Sequence, residues 1–285
     1  MPVSSDSAAV RKGQGHSWRV DGPVVVFCAS FMTMGAVLSY FGYLWGDALL
    51  NPNELAGSLF FWGGFVTLLL AVPLRRVTRT FLAQVRRASG AALLAVYLTI
   101  HLLLYGFVLE AILTTAYGVA VLAESPALLV TTNNFYPPSL LSTGFDLAYN
   151  PSVLITLPPV FSAALSMYSV SVAVVVAVLV VTSVGETRQL SKLSAKGKAR
   201  SYVVFPALGI VFGASCCLSV AGIVSLVVPS AALTSIEWVY YATYFLLPLV
   251  AMVLLYLNLL SIRRISESLL KGGGQPIGQA HGKSI

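Results

Sequence analysis

The sequence is poor in charged residues: Asp, Glu, Lys and Arg together make up 9% of its 285 residues. A soluble domain carries about 25% charged residues, so this chain has too few charges to cover a surface that faces water. Apolar residues make up 57% and the mean hydropathy is +0.85, which excludes a disordered chain. The composition predicts an integral membrane protein.

Motifs that carry catalysis or hold cofactors are also missing. The sequence has no G-x-x-x-x-G-K-[ST] phosphate loop and no H-E-x-x-H zinc motif. No lysine lies inside an apolar run, where a retinal Schiff base would form. His101 is the only histidine inside such a run, so the chain alone cannot give haem two histidine ligands. We therefore expect no enzyme activity and no bound cofactor.

The apolar runs predict six membrane-spanning helices. Each is near or above the roughly 20 residues that cross the hydrocarbon layer, and lipid cannot satisfy the backbone of an open strand. The predicted fold is an all-α bundle with seams of small residues between its helices. The predicted spans are about 23–46, 57–74, 91–118, 159–184, 202–228 and 240–262.

The distribution of basic residues predicts the orientation of these spans. All 17 Lys and Arg lie in the N-terminal segment, the loops after the second and fourth spans, and the C-terminal tail. Cytoplasmic loops collect Lys and Arg, so both termini are predicted on the cytoplasmic side of the cell membrane. The three other loops have no basic residue and carry the acids Asp47, Glu54, Glu124, Asp146 and Glu237.

The predicted chain has three parts. Residues 1–22 form a cytoplasmic segment, residues 23–262 form the six-helix domain, and residues 263–285 form a flexible, glycine-rich cytoplasmic tail. The apolar run from Pro23 to Trp45 is longer than the 7–15 residues of a signal peptide. We therefore expect it to stay in the membrane as the first span.

The loop between the third and fourth spans, about 119–158, is the one sizeable segment predicted outside the membrane. It is rich in apolar residues, so we interpret it as a cap on the bundle or the outer membrane surface. A lid or a re-entrant segment is the alternative. At its end, Pro158 and Pro159 are predicted to begin the fourth helix.

The formal net charge is +7 and the isoelectric point is about 9.4. In a soluble domain this charge would indicate nucleic-acid binding, but here it is spread over four short segments. We interpret it as a topology signal and an attraction to anionic lipid head groups. The expected partners are the lipid bilayer and other membrane subunits, with no nucleic acid.

Two ionisable residues inside the apolar runs are candidates for a transport pathway, because charge in hydrocarbon is costly. His101 lies near mid-depth of the third span; the alternative is a neutral imidazole bonded to a Ser, Thr or carbonyl group. Glu110 lies nine residues later, on the opposite helix face. It has either a proton or cation role, or an interfacial packing role.

Cys216 and Cys217 are adjacent thiols and candidate ligands for a soft metal. Their Ser-Cys-Cys segment and the following helices resemble, over about 60 residues, membrane proteins that pass mercuric ion. The flanking proline of that pattern and a second thiol pair are missing. The alternative is packing, because small residues recur every four positions through Gly209, Gly213, Cys217 and Ala221.

The function predicted from these features is a transporter or permease-like component for a small neutral solute or a soft metal ion. The alternative is a non-catalytic membrane subunit or assembly factor whose helices bind a partner in the bilayer. The scarcity of polar groups inside the spans argues against strongly charged solutes.

Overall fold

A computed structural model describes residues 22–45, 50–101, 126–132, 139–157, 161–193 and 245–272. This part of the chain is mostly helical. Four of its helices are long and apolar enough to cross a membrane, which indicates a membrane protein. They are Gly22–Tyr40, Pro52–Ala71, Met167–Arg188 and Pro248–Glu267, and they overlap the first, second, fourth and sixth predicted spans.

The first two helices, α1 (Gly22–Tyr40) and α2 (Pro52–Ala71), form an antiparallel hairpin in direct backbone contact. A Cβ atom added to Gly35 would lie 2.6 Å from the carbonyl oxygen of Gly57. One added to Gly64 would lie 2.9 Å from the carbonyl oxygen of Cys28. Small residues allow such close approach in membranes. This seam was not recognised in the sequence, and the predicted seam at 209–221 lies outside the described residues.

α2 begins five residues earlier than predicted. Asn51 caps the helix, because its side-chain oxygen accepts hydrogen bonds from the backbone N–H groups of Asn53 and Glu54. Pro52 occupies the first helical turn, where its missing N–H donor costs nothing. Glu54 therefore belongs to the helix, and its prediction as a loop residue was wrong.

Two shorter helices follow, α3 (Arg75–Val85) and α4 (Ala88–Thr99). The hydroxyl of Thr78 donates to the carbonyl oxygens of Leu70 and Leu74, which ties the start of α3 to the end of α2. α4 continues into one wide turn at residues 100 and 101. It begins the predicted third span; the rest of that span lies outside the described residues.

The predicted outer loop contains a small sheet and a short helix. Strands β1 (Ala127–Thr131), β2 (Ser152–Leu157) and β3 (Phe161–Leu165) pair antiparallel in the order β1-β2-β3. Helix α5 (Leu140–Tyr149) lies between β1 and β2 in the chain. We call these four elements the cap.

The fourth predicted span begins later than expected. Its first residues form β3, so the prediction that Pro158 and Pro159 begin the helix was wrong. The helix α6 runs from Met167 to Leu193. Its start is fixed by Ser166 and Ser169, whose hydroxyl oxygens accept hydrogen bonds from each other's backbone N–H groups. Apolar composition alone does not separate a strand from a buried helix.

α6 and the last described helix, α7 (Leu247–Gly272), are parallel neighbours. The hydroxyl of Tyr168 donates to the carbonyl oxygen of Phe245, and Arg263 pairs with Glu186. In both contacts the two residues are 77 positions apart in the chain. The pairing register of the two helices is therefore the same at these two contacts, which lie 18 residues apart along each helix. α6 is buried on nearly all sides and forms the centre of the bundle. Residues 263–272 are helical, which corrects the prediction of a flexible tail from residue 263.

The bundle has two chemically different ends. At the end that we call the basic end, α3 meets Glu186 and Arg263. At the other end, which we call the Glu54 end, the start of α2 meets the end of α1 and the cap. The exposed arginines at the basic end are Arg75, Arg76, Arg79, Arg86, Arg87, Arg188 and Arg264.

Candidate functional site

His101, the predicted pathway residue, is completely buried at the end of the described part of the third predicted span. Its Nδ1 atom lies 3.0 Å from the hydroxyl oxygen of Tyr97, one helical turn earlier. The two rings are tilted by 35°, with centroids 5.4 Å apart. The sequence had suggested Ser, Thr or a carbonyl group as a partner; one partner is a tyrosine hydroxyl.

The hydrogen bond between Tyr97 and His101 can run in either direction. If Nδ1 is unprotonated, it accepts from the Tyr97 hydroxyl, and the neutral imidazole of His101 carries its proton on Nε2. If Nδ1 is protonated, the tyrosine oxygen accepts instead. The signal for the pair was present in the sequence, because residues four apart lie on one helix face.

The other predicted site residues, Glu110, Cys216 and Cys217, lie outside the described residues. Within the described part of the chain, no group of three or more His, Cys, Asp or Glu side chains is arranged to hold a metal ion. Cys28 is buried there, and its backbone packs against Gly64 in the seam of the hairpin.

Glu54 is the unexpected feature of the fold, because its carboxylate is buried with only 1% of the residue exposed. The hydroxyl of Ser39 donates a 2.6 Å hydrogen bond to Glu54 Oε2, and the amide of Asn150 donates another at 3.2 Å. Both partners are neutral. Among the described residues no basic side chain forms an ion pair with this carboxylate.

Further polar residues surround this carboxylate and connect it to the cap. The side-chain amide of Asn51 donates to the carbonyl oxygen of Gly42 at 2.7 Å, and its backbone N–H donates to the Thr132 hydroxyl at 2.6 Å. A Cβ atom at position 42 would overlap the Glu54 carboxylate, so a larger residue there would force this side chain to move. We call Ser39, Asn51, Glu54, Thr132 and Asn150 the Glu54 cluster.

The cap is fixed to α2 next to this cluster. The carbonyl oxygen of Leu147, near the end of α5, accepts a 2.6 Å hydrogen bond from the indole N–H of Trp62. The hydroxyl of Ser58 donates to the same oxygen at 3.5 Å. Opening the cap would therefore break these bonds and the Asn150–Glu54 bond together.

The basic end carries a second polar group. The Nη2 atom of Arg263 lies 3.2 Å from Glu186 Oε1 and donates to the Thr80 hydroxyl at 3.1 Å. These contacts join α3, α6 and α7. In the same half of the bundle, Ser183 Oγ and Asn258 Nδ2 are buried without a hydrogen-bond partner among the described residues.

The sequence contained a signal for Glu54 that was overlooked. Asn51 followed by Glu54 matches the spacing of a capping box, with Asn in place of Ser or Thr. That pattern starts the helix at Pro52 and brings the glutamate inside it. Its contact with Asn150 is 96 residues away in the chain, and no local pattern predicts it.

Comparison with protein-family models, with curated proteins and with solved structures finds no match.

Proposed function

We propose that the protein is a transport component of the cell membrane, with six spans and both termini in the cytoplasm. The observation that carries this proposal is the buried Glu54 carboxylate, held by a hydroxyl and an amide and by no cation among the described residues. An ionisable residue inside an apolar bundle is costly and is typical of ion and substrate pathways.

Contacts between described helices support six crossings. α6 and α7 are parallel, so the chain that leaves α6 at the basic end has to return to the Glu54 end before α7 begins. The fifth predicted span, about 202–228, has the length for this return. Likewise, α4 begins at the basic end and β1 lies at the Glu54 end. In this proposal the third predicted span, about 91–118, makes that crossing.

The expected solutes are small and neutral, or soft metal ions. In this proposal Glu54 changes its protonation state and controls the cap. A proton on Oε2 would turn an acceptor into a donor, so the Ser39 hydroxyl would have to rotate and Asn150 would lose its acceptor. Loss of the Asn150 bond loosens the cap. His101 lies deeper along the same proposed path, and Cys216 and Cys217 are the proposed ligands for a soft metal.

The test is solute flux into liposomes that contain the purified chain. Glycerol and urea serve as neutral probes, measured by light scattering, and mercuric ion serves as the soft-metal probe. We expect flux above that of empty liposomes for at least one probe, lost in Glu54→Gln and kept in Glu267→Gln, which changes an exposed carboxylate on α7. Flux equal to empty liposomes for all probes would contradict the proposal.

A specific observation favours a second function, that of a membrane subunit or assembly factor. The cap exposes Leu140 at 91%, Leu128 at 70% and Leu141 at 71%. The only charged residue in the described part of the cap is Asp146, which is buried. An exposed apolar surface is typical of a binding site for another protein. This function is tested by purification in a mild detergent. We expect a partner protein to co-purify with the wild type and to be absent from the double variant Leu140→Ser, Leu141→Ser.

A further inference from the structure

Helix α3 lies across the basic end with one face in the core of the bundle. Val77 is buried there, and Phe81 packs partly against the same core. Thr80 bonds to Arg263, which pairs with Glu186, and the side chain of Gln84 lies against Gly185. Thr80 and Gln84, one helical turn apart on α3, thus contact α7 and α6 respectively, so this face of α3 packs against both helices.

The opposite face of α3 is basic and exposed. At 100° per residue, Arg79, Leu82 and Arg86 fall within about 60° of one another on the helix surface. All three are exposed, and Leu82, between the two arginines, is 51% exposed. We call Arg79, Leu82 and Arg86 the outer stripe of α3.

The charge of the outer stripe has no acidic counterpart nearby in the chain. No Asp or Glu occurs between Glu54 and Glu110. The one acidic side chain described beside α3 is Glu186, and Arg263 already pairs with it. The stripe is therefore a positive surface at the level where the long apolar helices end.

We infer that the outer stripe binds the phosphate head groups of anionic membrane lipids, with Leu82 inserted between them at the acyl boundary. The planar guanidinium group matches phosphate oxygens in pairs, and basic residues at the membrane surface attract anionic head groups. A lipid surface accommodates both the arginines and the exposed leucine. A nucleic acid has no apolar layer in which the exposed leucine could be buried. This site is independent of the transport proposed above.

The experiment uses the full chain in an uncharged detergent, titrated with phosphatidylglycerol or with phosphatidylcholine while the thermal unfolding midpoint is followed. We expect phosphatidylglycerol to stabilise the wild type at lower concentration than phosphatidylcholine does. Arg79→Gln with Arg86→Gln should need more phosphatidylglycerol for the same stabilisation, by roughly fivefold for each arginine removed. Salt at high concentration should reduce the effect, because screening weakens surface attraction.

The matched control is Arg188→Gln with Arg264→Gln, which removes two exposed arginines from other helices at the same end. It should respond to phosphatidylglycerol as the wild type does. An equal loss in both double variants would show general charge attraction and overturn the assignment to α3. Equal stabilisation by the two lipids would overturn it too. Displacement of phosphatidylglycerol from the wild type by a short DNA duplex would also overturn the assignment to a lipid.

Discussion

The hydroxyl of Ser39 donates a 2.6 Å hydrogen bond to the carboxylate of Glu54 and so joins the last turn of α1 to the first turn of α2. The donor comes from a helix whose start was predicted to within one residue, although the helix ends at Tyr40 and the predicted span ended at about residue 46. The acceptor was predicted in a loop. Both residues are buried, so the bond is shielded from water and its loss should be measurable.

We predict that Ser39→Ala destabilises the protein by about 1.5–3 kcal/mol, because it removes a hydrogen bond to a charged group that stays buried. Ser30→Ala is the matched control on the same helix, where the hydroxyl bonds only to the carbonyl oxygen of Val26 at an exposed position. Denaturant unfolding of the purified variants checks both. Equal stability of Ser39→Ala and wild type would mean that this bond contributes nothing.

The glycine seam makes a second prediction. Gly57→Ala should destabilise the α1–α2 hairpin by about 1–3 kcal/mol, as overpacking does in tightly packed cores, because its Cβ would lie 2.8 Å from the carbonyl oxygen of Gly35. Gly63→Ala, on the same helix, meets no atom within 4 Å. The free energy of unfolding of Gly63→Ala should therefore not fall below that of the wild type. Identical stabilities of the two variants would contradict the close backbone contact.

His101 gives a third prediction, which separates packing from transport. His101→Leu should abolish solute flux in liposomes while the protein still folds, with a lower unfolding midpoint because the buried hydroxyl of Tyr97 loses this hydrogen bond. Tyr97→Phe keeps the imidazole and the ring packing, so flux should remain measurable. If His101→Leu transports as the wild type does, His101 has no part in the pathway.

The topology is tested with single cysteines in a chain whose three native cysteines are replaced by serine. Gly144→Cys, on the exposed side of the cap, should react with an impermeant thiol reagent on intact cells. Arg79→Cys, at the basic end, should react only after the membrane is permeabilised. Position 54 is unsuitable as an outer probe because it is buried. Reaction in the reverse order would refute the cytoplasmic placement of α3.

Composition was sufficient to predict the four long apolar helices among the described residues, because each must supply enough apolar length to cross a bilayer. The ends of these helices depend on individual capping residues, which a hydropathy value averaged over many residues does not detect. Asn51 and Ser166 show this, since each caps a helix at a point where the apolar run gives no boundary. The strand at Phe161–Leu165 depends on pairing with β2, a contact that its own composition does not predict.

The candidate site was only partly predictable. His101 was recognised because a single ionisable residue is conspicuous in an apolar run. Glu54 was missed because its burial depends on Ser39 and Asn150, which come from two other parts of the chain. Long-range contacts of this kind cannot be derived from residue spacing in one sequence.

The constant register of α6 and α7 limits how the protein can move. A slide by one helical turn, about 5.4 Å, would separate Tyr168 from Phe245 and Arg263 from Glu186 at the same time. The two helices are therefore expected to tilt together as a rigid pair. Among the described residues, a rearrangement for the proposed transport is therefore expected where the α1–α2 hairpin and the cap meet that pair.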